Sequence, residues 1–131
     1  MQIPAAFARD SAVVLTLDGR PISHKAQVAL VHDGVLFVDA VDLTRVFDGL
    51  LIFEKTGARI TVRGNTFAFH LGQRTAIVDH QSVRIAGAPF EYAGDVFVPM
   101  SAILSADKGL SLTWTGRNRA DLHVTVFPKG S

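Results

Sequence analysis

The sequence contains no cysteine, and this absence excludes several kinds of chemistry at once. Disulfides, thiolate metal sites and cysteine nucleophiles all require that side chain. An excess of charge of one sign is also lacking, because 13 Lys and Arg are balanced by 12 Asp and Glu, for a formal net charge of +1. The basic residues are scattered singly, so neither nucleic acid nor an anionic membrane is indicated as a partner.

Long hydrophobic runs are missing as well. The longest apolar runs, at 28–31, 35–38 and 50–53, have the length of strands, whereas a helix that crosses a bilayer needs about 18 apolar residues or more. The sequence therefore predicts no membrane-spanning helix. With 131 residues, of which 48% are hydrophobic and 19% charged, the chain has the size and composition of one folded domain with a single core.

Residues 1–10 are predicted to be a tail that precedes this domain. They contain Ala6-Phe7-Ala8, which has the small-x-small form of a signal-peptidase site. The basic and long apolar segments that normally precede such a site are missing. Either the tail is the remnant of a trimmed export signal behind an added Met, which is the interpretation we favour, or the match arises by chance. One domain is expected over residues 11–128.

Within the domain, turn residues recur at short intervals, and the apolar residues between them alternate as they do in strands. Each alternating set shares one face of a strand: Val13, Leu15 and Leu17; Ile60 and Val62; Phe67, Phe69 and Leu71; and Leu122, Val124 and Val126. The sequence therefore predicts a protein in which most elements are strands.

Two stretches have helical spacing instead. Residues 39–48 carry apolar side chains on one helical face, with Asp39 as the predicted N-cap and Gly49 as the stop. Residues 99–108 do the same, with Pro99 predicted at the first helical position and Gly109 as the stop.

These two helical stretches belong to an internal repeat. Residues 34–40 and 94–100 align residue for residue at an offset of 60, and each unit reads as a Gly turn, an apolar strand and a helix. The prediction is an α+β fold of antiparallel sheets with two short helices, built from two related β-β-α-β repeats over about 11–72 and 73–128.

The second unit carries a recognisable motif. The segment Asp95-Val-Phe-Val-Pro-Met-Ser-Ala-Ile103, followed by Gly109 and Trp114, resembles the copper amine oxidase N-terminal-like domain, also called a stalk domain. The first half matches more loosely, because Asp39 stands where the second copy has Pro99. The resemblance covers residues from about 12 to 127. It implies a bacterial extracytoplasmic module, secreted or in the cell envelope, without amine oxidase chemistry, which in that family lies in a separate catalytic domain.

The five histidines are candidates for metal binding or for a structural role. These are His24, His32, His70, His80 and His123. None pairs with another at the i+2 spacing of a strand or the i+4 spacing of a helix, the spacings that direct two imidazoles at one ion. The favoured interpretation is that they are solvent-facing strand and turn residues, and no metal site or cofactor is predicted.

Catalytic patterns are equally absent. Asp39 and Asp42 lie three apart at the start of a predicted helix, but the helix dipole and the unpaired first-turn amides explain acids there without acid–base chemistry. No serine lies in a Gly-x-Ser-x-Gly elbow, and no glycine-rich phosphate loop is present. The protein is therefore not expected to be an enzyme.

The aromatic residues give the candidate binding surface. Phe37 and Phe97 occupy equivalent repeat positions and are predicted to be core. Phe90 and Tyr92 alternate with a polar residue next to a turn, so we expect part of this pair to be exposed, and Trp114 follows the second helix. The surface predicted for a ligand or partner consists of Phe90, Tyr92 and Trp114.

The sequence thus favours a non-catalytic extracytoplasmic module with a structural role, or one that docks onto a protein or a cell-wall polymer through shape and strand edges. The alternative is a module that binds a small ligand or a carbohydrate in a cleft between the two repeats, with Tyr92 and Trp114. Self-association as a homodimer is left open.

Overall fold

A computed structural model describes residues 11–22 and 28–125. The predicted tail at 1–10, His24 and Val126 lie outside these residues. The described chain forms two helices and thirteen strands, in an order that is mostly strand. The elements are β1 (Ser11–Leu17), β2 (Arg20–Pro21), β3 (Ala29–His32), β4 (Val35–Asp39), α1 (Ala40–Val46), β5 (Leu50–Glu54), β6 (Gly57–Val62), β7 (Asn65–His70), β8 (Thr75–Val78), β9 (Gln81–Arg84), β10 (Phe90–Tyr92), β11 (Asp95–Pro99), α2 (Met100–Ala106), β12 (Leu110–Gly116) and β13 (Arg119–Val124).

The strands form two sheets. The larger has the order β10-β11-β4-β3-β1-β13-β12, with β2 also paired to β1, and the smaller has the order β5-β6-β7-β8-β9. All neighbours pair antiparallel except β1 and β13, which are parallel. The predicted α+β class with mainly antiparallel sheets and two short helices is therefore confirmed.

Tight turns join many of these strands. Asp33 and Gly34 between β3 and β4, and Ala93 and Gly94 between β10 and β11, all have positive φ angles, of 51°, 75°, 53° and 84°. Two consecutive residues with positive φ make the type I′ turn, whose twist matches that of an antiparallel hairpin. Glycine fits the second position because it has no Cβ to clash there.

Both predicted helices are present. Each has seven residues, whereas the stretches with helical spacing at 39–48 and 99–108 have ten. Asp39 is the N-cap of α1, and its Oδ1 accepts a hydrogen bond of 2.8 Å from the amide of Val41, as predicted. The prediction that Pro99 is the first helical residue is wrong. It is the last residue of β11 and the N-cap of α2, with φ −68° and ψ 126°, because its backbone still belongs to the strand.

The main core lies between the two sheets and the helices, and the alternating strand residues point into it. Phe67, Phe69, Ile60 and Leu122 are each at most 1% exposed, as the period-two pattern predicts. A second, smaller cluster lies on the opposite face of the larger sheet; its buried members are Leu30, Phe37 and Phe97.

The two strand–helix units meet where β11 pairs with β4, the second and third strands in the order of the larger sheet. β4 with α1, and β11 with α2, begin 60 residues apart and have equal lengths. β4 and β11 pair antiparallel with Val38 opposite Val98, two positions that are themselves 60 apart. This register places the units about a local two-fold axis between the two valines, which is the arrangement expected of a repeat packed against its own copy.

Candidate functional site

Phe90 and Tyr92 lie in β10, at one edge of the larger sheet, and both are half-buried. The Phe90 ring stacks on Phe97 at 5.5 Å between centroids and meets Phe37 edge-on at 4.8 Å. Tyr92 packs against Phe97 at 6.4 Å. These contacts make both residues part of the second cluster, so most of their aromatic surface is engaged within the domain.

Trp114 lies on a different strand from that pair. It belongs to β12, which is at the opposite end of the strand order from β10, and its side chain is 46% exposed. The ladder between β12 and β13 is irregular between Trp114 and Gly116, which is a β-bulge. The three residues predicted as one surface therefore lie at two separate edges, with five strands between their strands.

Four of the five histidines lie in the described residues, and they are dispersed. His32 packs against Phe37 and Phe90, with its Nε2 3.4 Å from an Asp33 carboxylate oxygen. His70 is half-buried in β7, and His80 is exposed in a turn. Across residues 11–22 and 28–125, no group of three or more His, Asp or Glu side chains is placed to hold a metal ion.

One histidine belongs to a polar cluster that the sequence did not reveal. His123 pairs through Nδ1 with the carboxylate of Asp18. Asp121, two residues earlier on β13, accepts hydrogen bonds from the Thr16 hydroxyl at 2.6 Å and the Gly19 amide at 2.8 Å. These two bonds, and then the charge of His123, lower the pKa of the Asp121 carboxyl.

The geometry of this cluster is that of a structural clasp. Its groups join the end of β1 and the Asp18-Gly19 turn to β13; Asp18 and His123 are exposed, whereas Thr16 and Asp121 are half-buried. The Thr16 hydroxyl donates to the Asp121 carboxylate, and the lowered pKa of that carboxyl makes it a weak proton acceptor. The arrangement therefore fixes the parallel β1–β13 pair in register.

A depression lies between α2 and the β8–β9 hairpin. It has a volume of about 360 Å³ and is lined by apolar residues that include Val83 and Ala102. Ser101 and Ser105, one helical turn apart, line it from α2, and Arg84 lines it from β9. It lies away from Tyr92 and Trp114, so the cleft predicted from those two aromatics and this depression are different places.

The most exposed apolar strand is β5, at the edge of the smaller sheet. Leu50, Ile52 and Phe53 are 67%, 56% and 55% exposed, and within the described residues β5 pairs on one side alone, with β6. Sequence reasoning noted the run at 50–53 only as strand-sized. The signal that could have identified it is that four consecutive apolar residues lack the alternation of a half-buried strand.

The strands at the other three ends of the two strand orders, β10, β12 and β9, carry features that discourage further pairing. β10 is three residues long with the charged Glu91 at its centre. β12 contains the bulge near Trp114. β9 is polar at three of its four positions, including Arg84. Only in β5 are the first four residues all apolar and regularly paired.

A comparison with protein families gives one match. The family model described as Copper amine oxidase N-terminal domain matches residues 16–120. Neither the curated proteins nor the solved structures gave a match to the chain. In the part of the chain that the structure describes, no helix has both the length and the hydropathy needed for a membrane span.

Proposed function

Because the chain belongs to the copper amine oxidase N-terminal domain family, we propose that it is a non-catalytic docking module that works outside the cytoplasm. The matched family is a non-catalytic stalk-like domain. The docking role rests on one observation, the open edge of β5 with its three exposed apolar side chains. The partner that such an edge accepts is a protein segment in extended conformation.

Strand addition explains why an edge of this composition is useful. An extended segment that joins a sheet edge gains main-chain hydrogen bonds along its length, and alternate side chains give specificity. Leu50 and Ile52 lie on one face of β5 and Leu51 and Phe53 on the other, by strand alternation. An added strand would therefore meet apolar side chains on both faces, where apolar burial contributes about 25 cal/mol per Å².

The docking proposal can be tested with a peptide that has no sequence relation to the protein. The probe is a capped seven-residue peptide of alternating Thr and Val, titrated into ¹⁵N-labelled protein while amide chemical shifts are recorded. The expected result is shifts concentrated at Leu51 and Phe53, with smaller ones along β6. A peptide with the same side chains but N-methylated on every residue has no backbone donor on either edge; it is the control and should shift nothing. Equal shifts with both peptides, or shifts confined to other strands, would contradict docking at β5.

Extracytoplasmic location is a separate part of the proposal, supported by the family resemblance. The test is to tag the full-length gene product in its native host and to separate cytoplasm, envelope and medium. Recovery in the envelope or medium supports the proposal. Recovery with a cytoplasmic marker would refute it and leave the docking test unaffected.

The depression between α2 and the β8–β9 hairpin supports a second candidate function, a site for a small ligand. Its volume of about 360 Å³ lies within the range of small-molecule sites, and its apolar lining with Ser101, Ser105 and Arg84 has the few polar groups that orient a ligand. No aromatic side chain of the described residues lines it, which favours a compact amphiphile over a sugar ring. Ligand-observed NMR with a fragment set, on the protein and on Ser105→Trp, tests this; fragments that bind both equally do not occupy the depression.

A further inference from the structure

The backbone groups at the β5 edge can be assigned from the turns of the smaller sheet. Arg63 and Gly64 have φ angles of 50° and 85°, so a type I′ turn joins β6 to β7, and its flanking pair, Val62 and Asn65, exchanges hydrogen bonds. Hydrogen-bonded and non-hydrogen-bonded pairs alternate along an antiparallel ladder. It follows that alternate β6 residues, at 57, 59 and 61, direct their backbone groups away from β7 and towards β5.

The same alternation fixes which β5 groups remain available. Residues 57, 59 and 61 lie opposite Glu54, Ile52 and Leu50, so these three direct their N–H and C=O groups towards β6. Leu51 and Phe53 direct theirs outward. The open edge therefore presents two donors and two acceptors, on two residues separated by one.

We propose that this edge pairs with β5 of a second copy of the chain, antiparallel, about a two-fold axis that passes between the two copies of Ile52. This inference rests on the proposed docking function and names its partner. In this register Leu51 of each copy lies opposite Phe53 of the other, and the two pairs exchange four hydrogen bonds. The five-stranded sheet becomes a continuous sheet of ten strands, and the interface is isologous, so it closes at two copies.

Side-chain chemistry favours this register. Ile52 meets its own counterpart in a non-hydrogen-bonded pair, where Cα atoms approach to about 4.5 Å and side chains are closest. Glu54 lies opposite Leu50 of the other copy, and Lys55 lies opposite Gly49, so no two like charges are in opposition. A like-charged pair directly across the interface would be destabilising.

In other registers, fewer of the outward-directed N–H and C=O groups of β5 form hydrogen bonds across the interface. A shift by one residue sets Leu51 opposite Ile52 or Glu54, whose backbone groups are directed towards β6, so no hydrogen bonds form. A shift by two towards the start of the strand pairs Phe53 with Gly49, whose amide already donates to the Thr44 carbonyl at 2.7 Å. A shift by two towards the end pairs Leu51 with Lys55, which lies in the turn after β5. The register centred on Ile52 is the one in which both outward residues pair fully.

The absence of cysteine from the chain makes the register directly testable. Ile52→Cys places two thiols at the two-fold axis, at a Cα separation that lies within the range of disulfides. Mild oxidation with a glutathione couple should convert most of this variant to a covalent dimer. Leu50→Cys is the matched control on the same face of the same strand; its two copies would be about 13 Å apart, from about 3.3 Å per residue, and should not crosslink.

Ile77→Cys is a second control. Ile77 is 46% exposed on the outer face of the same sheet, but it lies in β8, three strands from the edge. Comparable crosslinking of Ile52→Cys and either control would mean random collision and would overturn the proposal. Failure of Ile52→Cys to crosslink at about 1 mM protein would overturn it as well.

The hydrogen bonds are tested by sedimentation equilibrium of two variants at one position. Phe53→Pro removes an N–H that is directed to solvent in the monomer, which edge strands tolerate, whereas Phe53→Ala removes the ring and keeps the N–H. We expect the unmodified chain to form dimers. Phe53→Pro should raise the dimer Kd at least tenfold more than Phe53→Ala does, and circular dichroism should show that both variants are folded. Equal effects of Pro and Ala, or a monomer at every concentration of the unmodified chain, would refute the pairing.

Failure of the dimer and failure of docking give different results. If the chain is monomeric and Ile52→Cys does not crosslink, but the Thr/Val peptide still shifts the amides of Leu51 and Phe53, the edge docks another protein and the self-pairing is wrong. If the peptide also shifts nothing at β5, the proposed function fails with it.

Discussion

Gly57 is the residue on which the smaller sheet, and with it the β5 edge, depends most sharply. It is the first residue of β6, paired with Glu54 on one side and His70 on the other. A Cβ built on Gly57 would lie 1.9 Å from the Phe69 carbonyl oxygen and 2.9 Å from its carbon. Both atoms are backbone, so no side-chain rotation can relieve the contact. Gly57→Ala therefore requires β7 to move by more than an ångström.

The expected loss follows from two opposing effects. Replacing Gly by Ala reduces the conformational entropy of the unfolded chain and alone would stabilise by about 0.4 to 1 kcal/mol. Overpacking that displaces backbone costs about 1 to 3 kcal/mol and sometimes more, and a 1.9 Å approach to a carbonyl oxygen belongs at the upper end. The net loss of unfolding free energy should be about 2 kcal/mol, or a fall in Tm of roughly 6 to 10 °C for a domain of this size.

Urea unfolding followed by circular dichroism measures this loss, with Gly116→Ala as the matched control. Gly116 also lies in a strand, its φ is not positive, and the nearest atom to an added Cβ is the Arg119 Cβ at 3.7 Å, an ordinary contact. Gly116→Ala should change stability by less than about 0.5 kcal/mol, as surface substitutions usually do. A Gly57→Ala loss no larger than that of the control would refute the close approach of β6 and β7.

Three further predictions use the same unfolding assay. Phe97→Ala and Ile103→Ala each affect a residue that is 1% exposed, and each should lower the unfolding free energy by about 2 to 5 kcal/mol. Leu50→Ala should lower it by less than about 0.5 kcal/mol. Similar losses for all three variants would contradict the burial of Phe97 and Ile103. Asp39→Ala should cost about 1 to 2 kcal/mol and Asp39→Asn much less, because the amide oxygen can still cap α1; equal losses would show that the charge, not the cap, matters. The folded-state pKa of Asp121 lies below its ordinary value of 3.8, so the stability that its carboxylate contributes is present above pH 3.8 and is lost as the pH falls through the folded pKa. The difference in unfolding free energy between wild type and Asp121→Asn should therefore shrink below about pH 3.8. A constant difference would contradict the lowered pKa.

The helices and the core faces of the strands could be predicted from the sequence because both depend on local periodicity. Residues 39–48 and 99–108 contain α1 and α2, and the cap at Asp39 was identified from its residue type. Phe67 and Phe69 are buried as their alternation predicted. Each of these features is set by neighbours a few residues away, and the structure confirms them.

Features that depend on lateral strand order could not be predicted in this way. Phe90 and Tyr92 alternate with Glu91, which suggests exposure, but the larger sheet carries apolar clusters on both faces, so they pack onto Phe97. No local pattern gives the order β10-β11-β4-β3-β1-β13-β12, and that order is what separates Trp114 from the other two. The Asp18–His123 pair spans 105 residues and is equally invisible to a local pattern.

The edge strands after the two helices give the clearest functional contrast between the halves of the chain. β5 and β12 each begin at a Gly-Leu pair, at 49–50 and 109–110, and each ends the strand order of its sheet. Leu110 is 4% exposed whereas Leu50 is 67% exposed, although the two occupy matching positions. β12 also ends in a bulge, while β5 keeps regular pairing through all five residues.

This asymmetry bears on why β5 is open. If apolar exposure were a by-product of the strand–helix–strand plan, both edges would share it, because both follow the same plan. They do not share it equally: β12 exposes Trp114 beside a bulge and buries Leu110, whereas β5 has a regular, exposed apolar run. Since an exposed, regular and apolar edge is an aggregation hazard unless something pairs with it, its retention in one half is best explained by a partner strand, and the Ile52→Cys crosslink decides whether that strand belongs to a second copy of the chain.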